Sequence, residues 1–412
     1  MKAFNLFFYI ILFIGFFLPS NSNFYVPLPG ILLGLNELAF ITLPILNLLC
    51  TSKEKIKFNN FKLRRNILLF VVIILFNEIV IKNLMYGQSL GEAFKAIRIG
   101  IPLISSLILV FQGINANVKI VWKVLLWAIL TSIFLSFISI FINLPIYYNL
   151  ESGENLLDEN RGRIFNSNAS FGLISLYLIF KNKNKWYNKG LLIKIVSILS
   201  IVSLILTFNR TYLAILAIEY IYLSFSTLNF RNAFKFTILP LVFIGLSFWS
   251  YSNFDRIQRQ VDKRIINVLF GKSSLYESTI KDNRDHIYNS MYERIIENHW
   301  LIGLPYKKEI FKKEASYNPI EMTKTDVSLY NVLIRYGIIP TVILVIIFRR
   351  ILKYKFTMFK FIFILLLIAS LNIDSLVSHN SIFFLILILF INFYDEKQQQ
   401  TQNSHNSAYI RT

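Results

Sequence analysis

The sequence predicts an all-α, polytopic membrane protein of about 12 transmembrane helices with one large extracytoplasmic helical loop. Three observations carry that prediction. The 412 residues are 55% hydrophobic with a mean hydropathy of +0.54, and only 16% are charged, where a soluble protein carries about 25% charged residues. Apolar runs of Ile, Leu, Phe and Val recur along the chain at lengths suited to about 30 Å of hydrocarbon. Lys and Arg fall in short clusters between those runs, the distribution that the positive-inside rule produces.

In order, the apolar runs lie near residues 4–19, 28–49, 66–82, 94–111, 120–143, 164–180, 191–208, 211–227, 234–250, 328–348, 356–372 and 376–394. The first run reads as an uncleaved helix rather than a signal peptide, because no A-x-A-like cleavage site follows Pro19-Ser20-Asn21-Ser22. The chain thus divides into helices 1–9 over residues 1–250, an extracytoplasmic loop over 251–326, helices 10–12 over 327–394, and a polar tail over 395–412. That tail is Gln-rich and reads as disordered.

Orientation comes from three basic segments. They are Lys53 to Arg65, Lys181 to Lys189, and Arg349 to Lys355, and counting runs places all three on one side, the cytoplasmic one. Both termini then lie in the cytoplasm of a cell whose cytoplasmic membrane holds the chain. The acidic stretch around Glu151, Glu154, Asp158 and Glu159 lies outside, as does the 251–326 interval. The formal net charge of +20 belongs to these basic loops, and no nucleic-acid motif accompanies it. The single cysteine, Cys50, rules out an intramolecular disulfide framework, and four scattered histidines give no metal-ligand spacing.

Glu37, Glu78, Arg98 and Glu219 stand inside apolar runs, where a charge facing lipid is costly. Arg98 pairs with Glu78 or Glu37, or these groups line a cavity opening outward. Pro102, Pro240 and Pro340 read as kinks. Within the long interval, residues 255–270 pattern as a basic amphipathic helix suited to a membrane surface, and 282–300 as a second helix that Gly303 and Pro305 end.

Five features converge on the outer face: Arg161 to Ala169 before a helix, Thr207-Phe208-Asn209-Arg210-Thr211 between two helices, and Arg284 in the loop. The last two are Leu301-Ile302-Gly303-Leu304-Pro305, which closes the loop, and Asp326 to Asn331 with Arg335-Tyr336-Gly337, where the chain re-enters the bilayer.

This set resembles the O-antigen polymerase and O-antigen ligase superfamily, the Wzy-type polysaccharide polymerases in particular. The resemblance rests on Arg161 to Asn168, Asn209-Arg210, Arg284, Asn298-His299-Trp300-Leu301-Ile302-Gly303, and Asn331 to Gly337, and it covers about 160–348. Where the ligases carry a histidine after the loop this chain has Asp326-Val327-Ser328, which favours a polymerase. Asn209 stands where the family has a serine.

The resemblance implies a glycosyltransferase that joins polyprenyl-diphosphate-linked oligosaccharide repeat units in O-antigen, capsule or exopolysaccharide synthesis. Its partners would be those lipid-linked units, membrane lipids, and a chain-length regulator or flippase. No cofactor and no metal is expected. Arg210 and Arg284 would hold the diphosphate with Arg161 or Arg163 as a further contact, since a guanidinium stays ionised and grips phosphate oxygens bidentately. Snorkelling to anionic headgroups is the competing role for each arginine. Asp326, His286 and His299 are the candidate bases for the acceptor hydroxyl, each also a reasonable solvated loop residue. A ligase acting on another acceptor is the enzyme alternative, and a lipid-linked glycan flippase or transporter the non-enzyme one, although the sequence has no evident internal repeat.

Overall fold

The computed structural model describes residues 2–18, 25–28, 31–52, 55–58, 60–98, 100–141, 144, 168–181, 185–207, 209–226, 245, 248, 251–253, 258, 261–262, 300–305, 328–354, 356–370 and 380–409. The described residues form a helical bundle with one small antiparallel hairpin.

The bundle has two ends, and the helices run between them. Helix α1 (Lys2–Phe17) leads to the hairpin β1 (Tyr25–Leu28) and β2 (Ile31–Gly34), paired Tyr25 to Gly34 and Leu28 to Ile31. Helix α2 (Leu35–Leu49) returns along α1. The expected run 28–49 is therefore a strand pair followed by a helix, which corrects the expectation of one continuous span.

Helix α3 (Phe61–Phe76) starts on an Asn60 cap, whose side chain accepts the Leu63 N–H at 3.0 Å. It passes through a π-helical turn, Asn77–Ile81, into α4 (Lys82–Tyr86). Next come α5 (Leu90–Arg98), α6 (Ile101–Gln112), α7 (Val118–Phe141), α8 (Phe171–Lys181), α9 (Leu191–Leu206) and α10 (Arg210–Ser226). After the long interval follow α11 (Ser328–Tyr336), α12 (Ile338–Ile351), α13 (Thr357–Ala369) and α14 (Ser381–Tyr409).

Two expected single spans are broken. The run 94–111 divides into α5 and α6, bent by 75°, and the run 328–348 divides at Gly337. Pro102 and Pro340 lie in the first turns of α6 and α12 rather than at kinks within a helix. That position suits proline because the first-turn N–H groups have no intrahelical acceptor. Pro240 lies outside the described residues.

The three basic segments meet at one end. Lys185 pairs with Asp395 at 3.1 Å, Lys397 donates to the Lys55 carbonyl at 3.4 Å, and the Phe58 ring packs at 4.6 Å on Phe393 and 6.1 Å on Tyr354. Lys119 stands over the Tyr394 ring at 5.5 Å. The tail expected to be disordered from residue 395 instead continues α14 to Tyr409. Asp395 is fixed by Lys185 and by the Trp186 indole N–H at 2.5 Å, and the Gln and Lys that follow are good helix formers.

Among the described residues, two helices are long and apolar enough to cross a membrane by themselves, Phe61–Tyr86 and Val118–Ser139, and a third joins them if α5 and α6 count as one broken span. The remaining apolar helices are shorter. Between the ends the bundle is filled by large apolar side chains, among them Phe16, Phe40, Phe171, Phe383 and Phe384. Phe16 touches Phe40, Phe383 and Phe384 with ring centroids 4.8–5.4 Å apart.

Candidate functional site

At the end opposite the basic segments, the segment Trp300–Pro305 is threaded across the break between α11 and α12. The Leu304 N–H donates to the Ile334 carbonyl at 2.7 Å, and the Ile338 N–H donates to the Trp300 carbonyl at 2.8 Å. One strand of chain thus satisfies an orphan carbonyl of α11 and an orphan amide of α12, groups that no helix can satisfy for itself.

Two glycines permit this approach. Gly303 and Gly337 have φ of +84° and +87°, the left-handed region that favours glycine. A Cβ on Gly303 would press into the Arg335 carbonyl, 2.6 Å from its carbon and 2.7 Å from the Ile334 oxygen. One on Gly337 would come within 2.7 Å of the Leu301 carbonyl carbon and 2.9 Å of that of Ile302. The two glycines interlock because each gives space to the backbone of the other's segment.

Beneath the interlock lies a buried polar cluster from the π turn. The Asn77 amide donates to the carbonyls of Ile302 at 2.6 Å and Tyr336 at 3.1 Å. The Lys82 ammonium bonds the Glu78 carboxylate, the Arg335 carbonyl and, at 2.9 Å, the Leu304 carbonyl, which uses all three of its donors. A cation at the carboxyl end of α11 is also favourable with respect to the helix dipole. Gln88 donates to the Glu78 carboxylate at 3.1 Å and to its carbonyl at 3.0 Å. Glu78 and Lys82 have no exposed surface, and the Arg335 side chain, 1% exposed, reaches the Pro305 carbonyl at 3.4 Å. The π turn places Asn77, Glu78 and Lys82 together on the inward side, and single π turns concentrate at functional sites.

The second broken span adjoins the first. The Tyr336 hydroxyl donates to the Ala96 carbonyl at 3.0 Å, near the end of α5. Two residues on, Arg98 Nε meets the Glu37 carboxylate at 2.6 Å, and Glu37 also accepts the Gly34 N–H at 2.9 Å. Of the two partners weighed for Arg98, Glu37 is the one it has, while Glu78 belongs to Lys82. The sequence reading missed Lys82, though its i, i+4 spacing from Glu78 is a recognisable pairing signal.

Other predicted residues reach the same end of the bundle. Asn168 donates to the Phe16 carbonyl at 2.5 Å and accepts from Asn380 at 2.8 Å, which ties the start of α8 to α1 and α14. The turn before Arg210 is a helix cap: the Asn209 side chain accepts the Thr211 N–H at 3.1 Å and the Tyr212 N–H at 3.4 Å. Arg210 therefore opens α10 at the amino-terminal end, where the helix dipole favours an anion. The other end of α10 is held at the basic side, where Lys181 donates to the Ser226 carbonyl at 3.1 Å.

The structure thus brings together two predicted segments, Leu301–Pro305 and Arg335–Gly337, and sets the Arg210 turn and Asn168 at the same end. Arg161, Arg163, Arg284, His286, His299 and Asp326 lie outside the described residues, as do the amphipathic stretches 255–270 and 282–300 apart from residues 258, 261, 262 and 300. Chemically, the cluster around Lys82 is an anchor: it is covered and the ammonium is fully engaged, so it positions the end of the long interval where the chain rejoins the bundle rather than meeting a substrate.

The fold and this junction define a helical bundle with two broken helices abutting at the end away from its basic loops. No protein-family model matches the chain, and no curated protein is significantly similar to it.

Proposed function

We propose that the chain is a polysaccharide polymerase. It joins polyprenyl-diphosphate-linked oligosaccharide repeat units at the outer face of a bacterial cytoplasmic membrane, which its helices cross about twelve times with both termini inside. The observation that carries this reading is the interlock of Leu301–Pro305 with Arg335–Gly337 opposite the basic loops. Those are two of the segments on which the resemblance to the Wzy-type polymerases rests. Their locking fixes where the long interval rejoins the bundle, at the end where α10 begins with Arg210.

In the reaction, an acceptor hydroxyl attacks the anomeric carbon of the donor sugar, the carbon–oxygen bond to the diphosphate breaks, and the lipid diphosphate leaves with the bonding pair. The leaving group gathers negative charge, and fixed cations aimed at that charge lower the barrier. Arg210 and Arg284 supply them, with Arg161 or Arg163 as a further contact. Asp326, His286 or His299 takes the hydroxyl proton. Fixed donors of this kind are worth roughly 3 kcal/mol each in acyl-transfer enzymes, so loss of Arg210 or Arg284 lowers the rate about a hundredfold.

The test supplies purified protein in lipid with lipid-linked repeat units alone. Lengthening of those units supports the proposal. Transfer only when a foreign acceptor is added makes the protein a ligase, and movement of the units across the bilayer without new glycosidic bonds makes it a transporter.

A further inference from the structure

A buried ionisable group outside the junction has no side-chain partner. Glu219 stands near the middle of α10 with no exposed surface, and neither carboxyl oxygen has a hydrogen-bond partner. Its carboxyl lies beside the Tyr177 backbone of α8. The titratable groups on the elements packed against α10 are Tyr177 and Lys181 on α8, Lys194 on α9 and Lys360 on α13. None of these side chains bonds to the carboxyl.

The neighbouring contact between α8 and α9 holds a row of unsatisfied hydroxyls. Ser175 on α8 and Ser197, Ser200 and Ser203 on α9 are each at most 1% exposed, and each Oγ lacks a partner. Serines on α7 and α10 behave differently. Ser136, Ser139 and Ser224 turn back to carbonyls of their own helices at 2.6–2.8 Å, the usual local bond for a buried helical serine. The seam serines forgo that bond. Gly172 lets α8 approach α9 so closely that a Cβ there would lie 2.8 Å from the Ser200 carbonyl oxygen. Lys181 and Ser226 fix α8 and α10 in register at the basic end. Counting back from them, Ser175 and Glu219 both lie about two turns in, as does Ser197 counted from the start of α9.

We propose that Glu219, with Ser175 and Ser197 at its depth in the bundle, forms a buried site for one monovalent cation, a proton or Na⁺. A carboxylate with no partner in an apolar interior is costly to keep, and a single bound cation cancels its charge. Hydroxyls and a carboxylate are the hard oxygen donors that Na⁺ takes, and the same carboxyl takes a proton directly. The site is separate from the proposed glycan transfer and stands or falls without it.

The test is infrared difference spectroscopy of the full chain in lipid nanodiscs, reading the carbonyl stretch of a protonated carboxylic acid. In Na⁺-free buffer, wild type shows a band that Glu219→Gln lacks and that Glu219→Asp moves. If the site takes a proton, the band survives added NaCl. If it takes Na⁺, the band falls with NaCl and stays with choline chloride, a titration on wild type that needs no variant. Should wild type show no band and no Na⁺ response while Glu219→Gln is folded and spectrally identical, the carboxyl is ionised and otherwise paired, and the proposal is wrong.

Discussion

Replacing Gly303 by alanine tests the interlock at its tightest point. The substitution forces an L residue to φ of +84°, which costs about 1–2 kcal/mol. It also drives a methyl group into the Arg335 carbonyl. Relief requires Trp300–Pro305 to move off the break, and two bonds go with it, Leu304 to Ile334 and Ile338 to Trp300, at roughly 1 kcal/mol each. The expected loss is on the order of 3–5 kcal/mol. Gly337→Ala, which meets the Leu301 and Ile302 carbonyls, should lose a similar amount. Two other glycines separate strain from clash. Gly87 has φ of +65° with nothing within 4 Å of an added Cβ, and Gly91 has open space and no positive φ. Gly87→Ala should therefore lose only the strain, about 1–2 kcal/mol, and Gly91→Ala should be neutral or slightly stabilising. Thermal unfolding of the four purified variants in one detergent reads the order directly. The interlock is refuted if Gly303→Ala unfolds together with Gly87→Ala.

Lys82→Met leaves Glu78 buried without its counter-ion and should cost about 3–5 kcal/mol, while Lys82→Met with Glu78→Leu should recover part of that loss; unfolding of both variants checks the sign of the coupling. Asn60→Ala removes the cap of α3 and should cost about 1 kcal/mol in the same assay. Burial pushes the Cys50 thiol up to about 11 from an ordinary value near 9. Its reactive thiolate is then scarce below that pH, and alkylation of folded protein at pH 8 should be far slower than after denaturation. Arg210→Ala and Arg284→Ala should each abolish normal polymer in cells while leaving the protein in the membrane; polymer of normal length from both would end the diphosphate-clamp proposal.

The all-α class and the gathering of the three basic segments were legible because composition and Lys/Arg spacing follow from solvation alone. Pairing of Arg98 with Glu37 was one of two readings, and the charge pattern by itself could not choose between carboxylates on different helices. Glu78 pairs instead with Lys82 four residues on, a spacing the sequence shows, while the π turn that carries both to the inner side is invisible to a regular helical count. Both broken spans carry a signal in the sequence. Gly100-Ile101-Pro102 and Gly337-Ile338-Ile339-Pro340 each place a glycine before a helix whose first turn holds a proline, the signature of a new helix rather than a kink. Leu301–Pro305 and Arg335–Gly337 were singled out separately as motif segments. Their contact could not be read from the sequence, because it is made by backbone atoms over about thirty intervening residues.

The proposal depends most directly on one spatial claim, that the interlock and the basic segments face opposite sides of a membrane. Sidedness of cysteine labelling tests it, in a chain whose only native thiol is removed by Cys50→Ala. Trp300 and Lys189 are exposed at the two ends, so Trp300→Cys and Lys189→Cys report on them. With a membrane-impermeant maleimide, the predicted result is labelling of Trp300→Cys in intact cells and of Lys189→Cys only after the membrane is opened. Labelling of both from the same side, or of Lys189→Cys alone in intact cells, would contradict it.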